Sequence, residues 1–143
     1  MTSEIIRLGQ GLTVSFYLDA AQTDGQFTFF KVTIEPGAKV PAAHYHENFD
    51  ETIFVLKGQL SLQVDDELLL LNAGECKFIS RGRIHSFKNE SDSVVEVTAY
   101  ANPGVLTANY FKDLLDVLKQ GGPELPVEVK AVMNRYGLMP VAS

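Results

Sequence analysis

The first hundred residues form a succession of short segments rich in β-branched and aromatic residues. The candidate strands read LTVSFYL, FTFFKVTIE, TIFVLKGQLSLQV, ELLLLNAG, CKFIS, IHSFKN and VVEVTAY. Turn-forming residues mark the breaks, as in Asp24-Gly25, Pro36-Gly37 and Lys57-Gly58. Because many strands at this spacing have no helical segment between them, the sequence predicts an all-β fold, either an antiparallel sandwich or a barrel.

The periodicity changes after Asn102-Pro103-Gly104. In NYFKDLLDVLKQGG the apolar residues fall on one face of a helix, and the two glycines end it. PVEVKAVMNRYG predicts a second, shorter helix with Pro126 near its start. We therefore predict a β-barrel domain over residues 1–104 and a helical extension packed on the barrel over residues 105–143. The helices are expected either to cover the outside of the barrel or to form a lid over a binding mouth.

Composition and charge restrict the classes of function. The chain has 143 residues, 45% of them hydrophobic and 21% charged, which is typical of one globular domain. Its net charge of −6 and the lack of a basic patch argue against nucleic-acid binding. Without a signal-like apolar run or a membrane span, we expect a cytoplasmic protein that binds no membrane. The single cysteine, Cys76, is interpreted as a small buried hydrophobic residue.

All three histidines of the chain fall in two short segments, PAAHYHENFDE and SRGRIHSFKN. His44 and His46 lie two positions apart, so on a strand both imidazoles point to the same face. Glu51 begins the next apolar run, and an intervening turn can return its carboxylate to the same point. His85 follows a glycine turn and is the remaining candidate ligand. Three neutral imidazoles and one carboxylate suit one divalent transition metal ion (Fe, Mn, Ni, Co, Cu or Zn) better than magnesium or calcium.

This arrangement resembles the two sequence motifs of the cupin superfamily, over about Phe27 to Ala101. The first motif has a glycine, H-x-H, a glutamate and a second glycine. Here its positions are Gly37, His44, His46, Glu51 and Gly58, with one residue more than usual before the histidines. The second motif has two glycines, a histidine and an asparagine. Here its positions are Gly74, Gly82, His85 and Asn89, and Ser80 replaces the usual proline.

The resemblance implies a double-stranded β-helix, the jelly-roll type of cupin barrel, with a short C-terminal helical extension. It also implies that His44, His46, Glu51 and His85 bind the metal ion inside the barrel. Four protein ligands leave open coordination positions, which is typical of a catalytic metal rather than a structural one. We expect the cavity beside the metal to be lined by residues that follow the ligands or lie on a nearby strand. These are Ile53, Val55, Phe87 and Glu96.

Three functions remain open at this stage. The first is a metal-dependent dioxygenase acting on a small enol, phenol or diketone. The second is a metal-dependent isomerase, cyclase or lyase, and the third is a non-enzymatic module that binds a small ligand. The segment YANPGVLTANYFKDL is similar to small quercetin-dioxygenase-like cupins, and this similarity implies that Glu51 acts as the catalytic base. Small cupins also imply a homodimer, with Leu12–Leu18 as the edge that pairs with the partner.

Overall fold

The computed structural model describes residues 4–40 and 42–141. Within these ranges the chain forms eleven strands, two α-helices and one turn of 3₁₀-helix at Ala20–Gln22. The strands are β1 (Glu4–Gly9), β2 (Leu12–Leu18), β3 (Thr28–Ile34), β4 (His44–His46), β5 (Asp50–Lys57), β6 (Gln59–Val64), β7 (Glu67–Asn72), β8 (Cys76–Ile79), β9 (His85–Lys88), β10 (Val95–Asn102) and β11 (Leu138–Pro140). The helices are α1 (Ala108–Gln120) and α2 (Leu125–Arg135).

The strands form two antiparallel sheets. One sheet has six strands in the order β1-β2-β3-β10-β5-β8, and the other has five in the order β11-β4-β9-β6-β7. Consecutive strands β5 and β6 belong to different sheets, and Gly58 lies at the turn between them with φ of +83°. A Cβ at Gly58 would lie 3.0 Å from the Val94 carbonyl oxygen, so this sheet change requires glycine. The predicted double-stranded β-helix is confirmed.

Alternation along the strands divides each sheet into an inner and an outer face. On β5 the side chains of Glu51, Ile53 and Val55 are buried, whereas Phe54 and Leu56 are exposed on the other face. This is the period of two expected for a strand with one face against a core. It brings the only acidic side chain that is buried among the described residues into the interior.

Two expectations from the sequence are wrong. β2 pairs with β1 on one side and with β3 on the other, so Leu12–Leu18 has no free edge. The edge of the sheet on this side is instead β1, which the sequence did not predict because its six residues do not alternate regularly. Cys76 is exposed rather than buried, because it lies on the outer face of β8 opposite Phe54.

Both predicted helices are present, and the chain after them returns to the barrel. β11 pairs antiparallel with β4, with Leu138 opposite His46 and Pro140 opposite His44. The phenol of Tyr136, at the end of α2, donates a hydrogen bond to Asp113 of α1 and joins the two helices. The helical extension is therefore tied to the sheet that carries the histidines, and the division at residue 104 stays a prediction.

No helix within residues 4–40 and 42–141 is long and apolar enough to cross a membrane.

Candidate metal centre

The three histidines meet at one point inside the barrel. β4 and β9 are antiparallel neighbours, and their register places His44 directly opposite His85. His46 lies on the same face of β4 as His44, as alternation requires. One ring nitrogen from each histidine lies within 4.8 Å of the others. The five-stranded sheet therefore supplies all three imidazoles.

Glu51 reaches the same point from the opposite sheet. Its Oε1 lies 3.9 Å from Nε2 of His46 and 3.7 Å from Nε2 of His85. All four residues are buried, with exposed fractions between 2% for His46 and 8% for Glu51. The structure thus brings together the four side chains predicted as metal ligands.

Two of the imidazoles are oriented by backbone carbonyl groups. Nδ1 of His44 lies 2.9 Å from the Ala42 carbonyl oxygen, and Nδ1 of His85 lies 3.0 Å from that of Arg83. Because a carbonyl can only accept, each Nδ1 carries a proton, so in the neutral imidazole the lone pair of Nε2 is available to a metal ion. This is how ligating histidines are held in metalloproteins.

The hydrogen-bond inventory of the cluster fits a divalent metal ion. Among the residues that the structure describes, neither the buried Nε2 of His85 nor the buried Nδ1 of His46 has a hydrogen-bond partner. A buried polar atom without a partner is costly, and a metal ion at the centre would satisfy the lone pair of His85. The His46 ring stacks on Phe49 at a centroid distance of 4.1 Å, which fixes its plane.

The protonation states also favour a metal site. Burial, assisted by the charge of His85, lowers the pKa of His44 to about 4. Burial lowers the pKa of His46 to about 3. Burial opposes ionisation of Glu51, but the close approach of its carboxylate to the surrounding imidazoles prevails and lowers the pKa. For His85, burial is likewise outweighed by Glu51, and the pKa is raised. Two imidazoles are therefore neutral at pH 7, as metal ligation requires.

Two ion pairs fix the loop that leads to His85. Arg83 Nε donates to Asp65 Oδ2 at 2.8 Å, and the Ile84 backbone N–H donates to Asp65 Oδ1 at 3.1 Å. Asp65 thereby holds the Arg83 carbonyl that orients His85. Arg81 pairs with both carboxylate oxygens of Asp50, at 3.1 Å each. Neither aspartate was predicted from the sequence, although Asp50 directly precedes Glu51.

A cavity of about 90 Å³ adjoins the histidines and Glu51. Of the residues predicted to line it, Ile53 and Phe87 do so. Val55 is buried in the core and is not among the lining residues. Glu96 does not line the cavity, contrary to the prediction from the sequence. Alternation along β10 turns its side chain to the outer face of the sheet, where the carboxylate lies 3.2 Å from Lys31 Nζ.

The helices supply the rest of the cavity wall. Tyr110, Phe111 and Leu114 of α1 and Met133 of α2 line the same cavity as the histidines. The three residues of α1 belong to the apolar helical face that the sequence predicts, but periodicity does not show what that face packs against. α1 and α2, which we call the helical hairpin, therefore form part of the cavity wall, and their role as a lid stays a prediction.

Comparison with known proteins agrees with this architecture. Residues 30–100 match the family described as Cupin_2, cupin domain. The chain is 32% identical over 69 residues to quercetin 2,3-dioxygenase of Bacillus subtilis (strain 168), covering 48% of this chain and 20% of that protein. It is also 32% identical over 98 residues to an uncharacterized protein of Aquifex aeolicus (strain VF5), covering 68% of each. The chain therefore spans about a fifth of the Bacillus enzyme.

Solved structures show the same fold. A predicted oxalate decarboxylase from Thermotoga maritima superposes with a TM-score of 0.63 at 22% identity, covering 72% of this chain and 93% of that one. A sugar phosphate isomerase from Silicibacter pomeroyi superposes with a TM-score of 0.59 at 24% identity, covering 71% and 68%. Fold and site define a small β-barrel protein with a buried cluster of three histidines that can hold a metal. The chain belongs to the cupin superfamily.

Proposed function

We propose that the protein is a metal-dependent enzyme that acts on a small enol, phenol or diketone, and that the reaction is a dioxygenation. The observation that carries this proposal is the buried cluster of three imidazoles and one carboxylate beside an apolar cavity. The similarity to the Bacillus quercetin 2,3-dioxygenase supports the choice of reaction.

His44, His46, His85 and Glu51 would hold one divalent transition ion, chosen from Fe, Mn, Ni, Co, Cu or Zn. Nitrogen and carboxylate donors suit these ions, and ligand type alone does not distinguish among them. When bound, such an ion supplies Lewis acidity and, if it is redox-active, the means to react with dioxygen.

Glu51 is the residue proposed to move a proton. Its pKa is lowered, so the carboxylate is ionised at neutral pH even though it is buried. It faces the cavity, and the apolar walls around it exclude competing water. A substrate hydroxyl or an acidic C–H placed in the cavity can therefore give its proton to Oε1 or Oε2 of Glu51. Ile53 and Phe87 form part of the apolar surface against which the substrate would lie.

The test is oxygen uptake by the metal-loaded protein with a panel of enols, phenols and β-diketones. Glu51→Gln keeps the size of the side chain but removes its charge and most of its basicity. If Glu51 is the base, turnover corrected for metal content falls by about 10² or more. If the corrected turnover of Glu51→Gln equals that of the parent, Glu51 acts only as a metal ligand and not as the base. Product formation without oxygen uptake would favour an isomerase, cyclase or lyase instead.

We also propose that the protein forms a homodimer through the outer face of the six-stranded sheet. Phe54, Leu56 and Phe78 are 39%, 45% and 55% exposed there, which is unusual for large apolar side chains on one face. Sedimentation velocity tests this proposal, because Phe78→Glu should convert the dimer to a monomer. A monomeric parent protein would contradict it.

A further inference from the structure

We propose that a groove between the helical hairpin and the barrel is the outer part of the substrate site. It would select a substrate that has an oxygen-bearing head, a linear apolar tail and an anionic end. This inference rests on the proposed function, because it names the substrate class of that same site.

The starting observation is that the cavity beside the histidines is small. Its volume of about 90 Å³ lies below the range of about 300–1,000 Å³ that is usual for ligand pockets. A head group that carries the reactive oxygens fits this space, but a larger substrate must extend beyond it.

A groove of about 350 Å³ lies directly beside the cavity. Five residues line both spaces and therefore form the wall between them. These are Leu8, Leu12, Val40, Leu114 and Met133. Cavity and groove together reach the volume usual for a ligand pocket.

For a tail to pass from the cavity into the groove, the side chains of the wall must rotate aside. Each of its residues is aliphatic or a thioether, so no hydrogen bond has to break. Met133 has a long, unbranched and adaptable side chain. Its counterpart on α1 is Leu114, so the two helices of the hairpin each contribute one residue to the wall. A linear tail can therefore pass from the cavity into the groove between these side chains.

The charges of the groove point to an anionic end. Lys39 and Lys130 are the charged residues among the described side chains that line it, and no carboxylate does. Both lysines are exposed, and neither forms an ion pair within the described part of the chain. Two cations without a carboxylate in the same groove give it a local positive charge, on a chain whose net charge is −6. A carboxylate at the far end of the tail would meet this positive charge.

The experiment measures binding of synthetic β-diketones to the metal-loaded full-length protein by isothermal titration calorimetry. The probes carry linear tails of increasing length that end either in a carboxylate or in a methyl group, and acetylacetone is the probe without a tail. We expect affinity to rise with tail length for both series. At the optimal length, the carboxylate should bind about tenfold more tightly than the methyl analogue, as an anion near two cations would.

Variants assign these gains to the groove. Val129 lines the groove but not the cavity, so Val129→Trp should remove the benefit of the tail and leave acetylacetone binding unchanged. Val127→Trp is the matched control on the same helix, because Val127 is 63% exposed and lines neither space. Lys39→Gln with Lys130→Gln should abolish the preference for carboxylate, whereas Lys57→Gln, on the surface of β5, should not.

The outcomes separate this inference from the proposed function. If acetylacetone binds but the tails add no affinity, or if Val129→Trp behaves like Val127→Trp, the groove is not part of the site and the inference is overturned. If acetylacetone fails to bind the metal-loaded protein, the proposed function is contradicted and the inference falls with it. If the carboxylate and methyl probes bind with equal affinity at every tail length, the proposed preference for an anionic end is overturned.

Discussion

The barrel and the helical hairpin line one cavity with different chemistry. The barrel contributes His44, His46, Glu51 and His85, whereas the hairpin contributes only aromatic or apolar side chains such as Phe111 and Leu114. The family match covers residues 30–100 and ends before the hairpin begins. The comparison suggests that the barrel determines what chemistry is possible and that the hairpin determines which molecule reaches it.

The largest expected effect tests whether the hairpin can be weakened without changing the metal centre. Leu114 is buried between α1 and the barrel, so Leu114→Ala should lower the free energy of unfolding by about 2–5 kcal/mol. Metal affinity should stay within about twofold of the parent, because no ligand moves. Chemical denaturation and metal titration measure the two quantities. Val127→Ala, at an exposed site on α2, should cost less than about 0.5 kcal/mol.

A loss of metal affinity in Leu114→Ala equal to that of a ligand variant would break the comparison. The hairpin would then be part of the metal centre rather than a separate wall.

The next effect concerns the pH dependence of the metal-free barrel. His44 and His46 have lowered pKa values of about 4 and 3, so between about pH 4.5 and 6 the unfolded chain binds protons that the native protein does not. The free energy of unfolding should therefore fall with decreasing pH, by up to about 1.4 kcal/mol per pH unit for each histidine. His85 has a raised pKa and is therefore protonated in both the native and the unfolded protein in this pH range, so it does not contribute to the slope. Its contribution to the stability of the native protein is lost only when the pH rises through that pKa.

Denaturation at several pH values in the presence of a chelator measures this slope. His44→Gln should reduce it by about half, because one of the two responsible groups is gone. A slope that is unchanged in His44→Gln would show that the histidines are not the groups that titrate.

The smallest expected effect concerns Asp65, which acts as a positioning residue through the Arg83 carbonyl. Asp65→Asn weakens the contact to Arg83 and should lower metal affinity by up to about tenfold. This is the lower end of the range of losses for substitutions of groups that hold a metal ligand in place. The matched control is Asp66→Asn, since Asp66 is the exposed neighbour, and within residues 4–40 and 42–141 the side-chain hydrogen bonds to the His85 loop come from Asp65. Isothermal titration with the metal compares them. If Asp65→Asn and Asp66→Asn bind the metal with equal affinity, Asp65 does not help to position the metal ligands.

The sequence predicted the barrel well because its signals are local. Strand alternation, turn residues such as Gly58 and the spacing of His44 and His46 each follow from backbone geometry over a few residues. The second motif was informative for the same reason, since Asn89 is fully buried and donates to the Ser93 carbonyl four residues further on, in the turn that follows β9.

The features that the sequence did not predict depend on distant contacts. β11 is three residues long and contains Pro140, so nothing local marks it as a strand until β4 pairs with it. Glu96 alternates with apolar neighbours on β10, and only the sheet shows which of its faces is inside. The wall formed by Leu114 and Met133 requires knowing how two helices pack on the barrel.

The central claim is that the barrel holds one divalent transition ion through its three histidines and Glu51. The most direct measurement is the metal content of the purified protein, by elemental analysis after loading and desalting. We expect one ion per chain in the parent and none in the double variant His44→Ala, His46→Ala. Tyr45→Phe, which changes the residue between them on the opposite face, should keep the full content. Full occupancy in the double variant, or an empty parent after loading with each of the six metals, would contradict the claim.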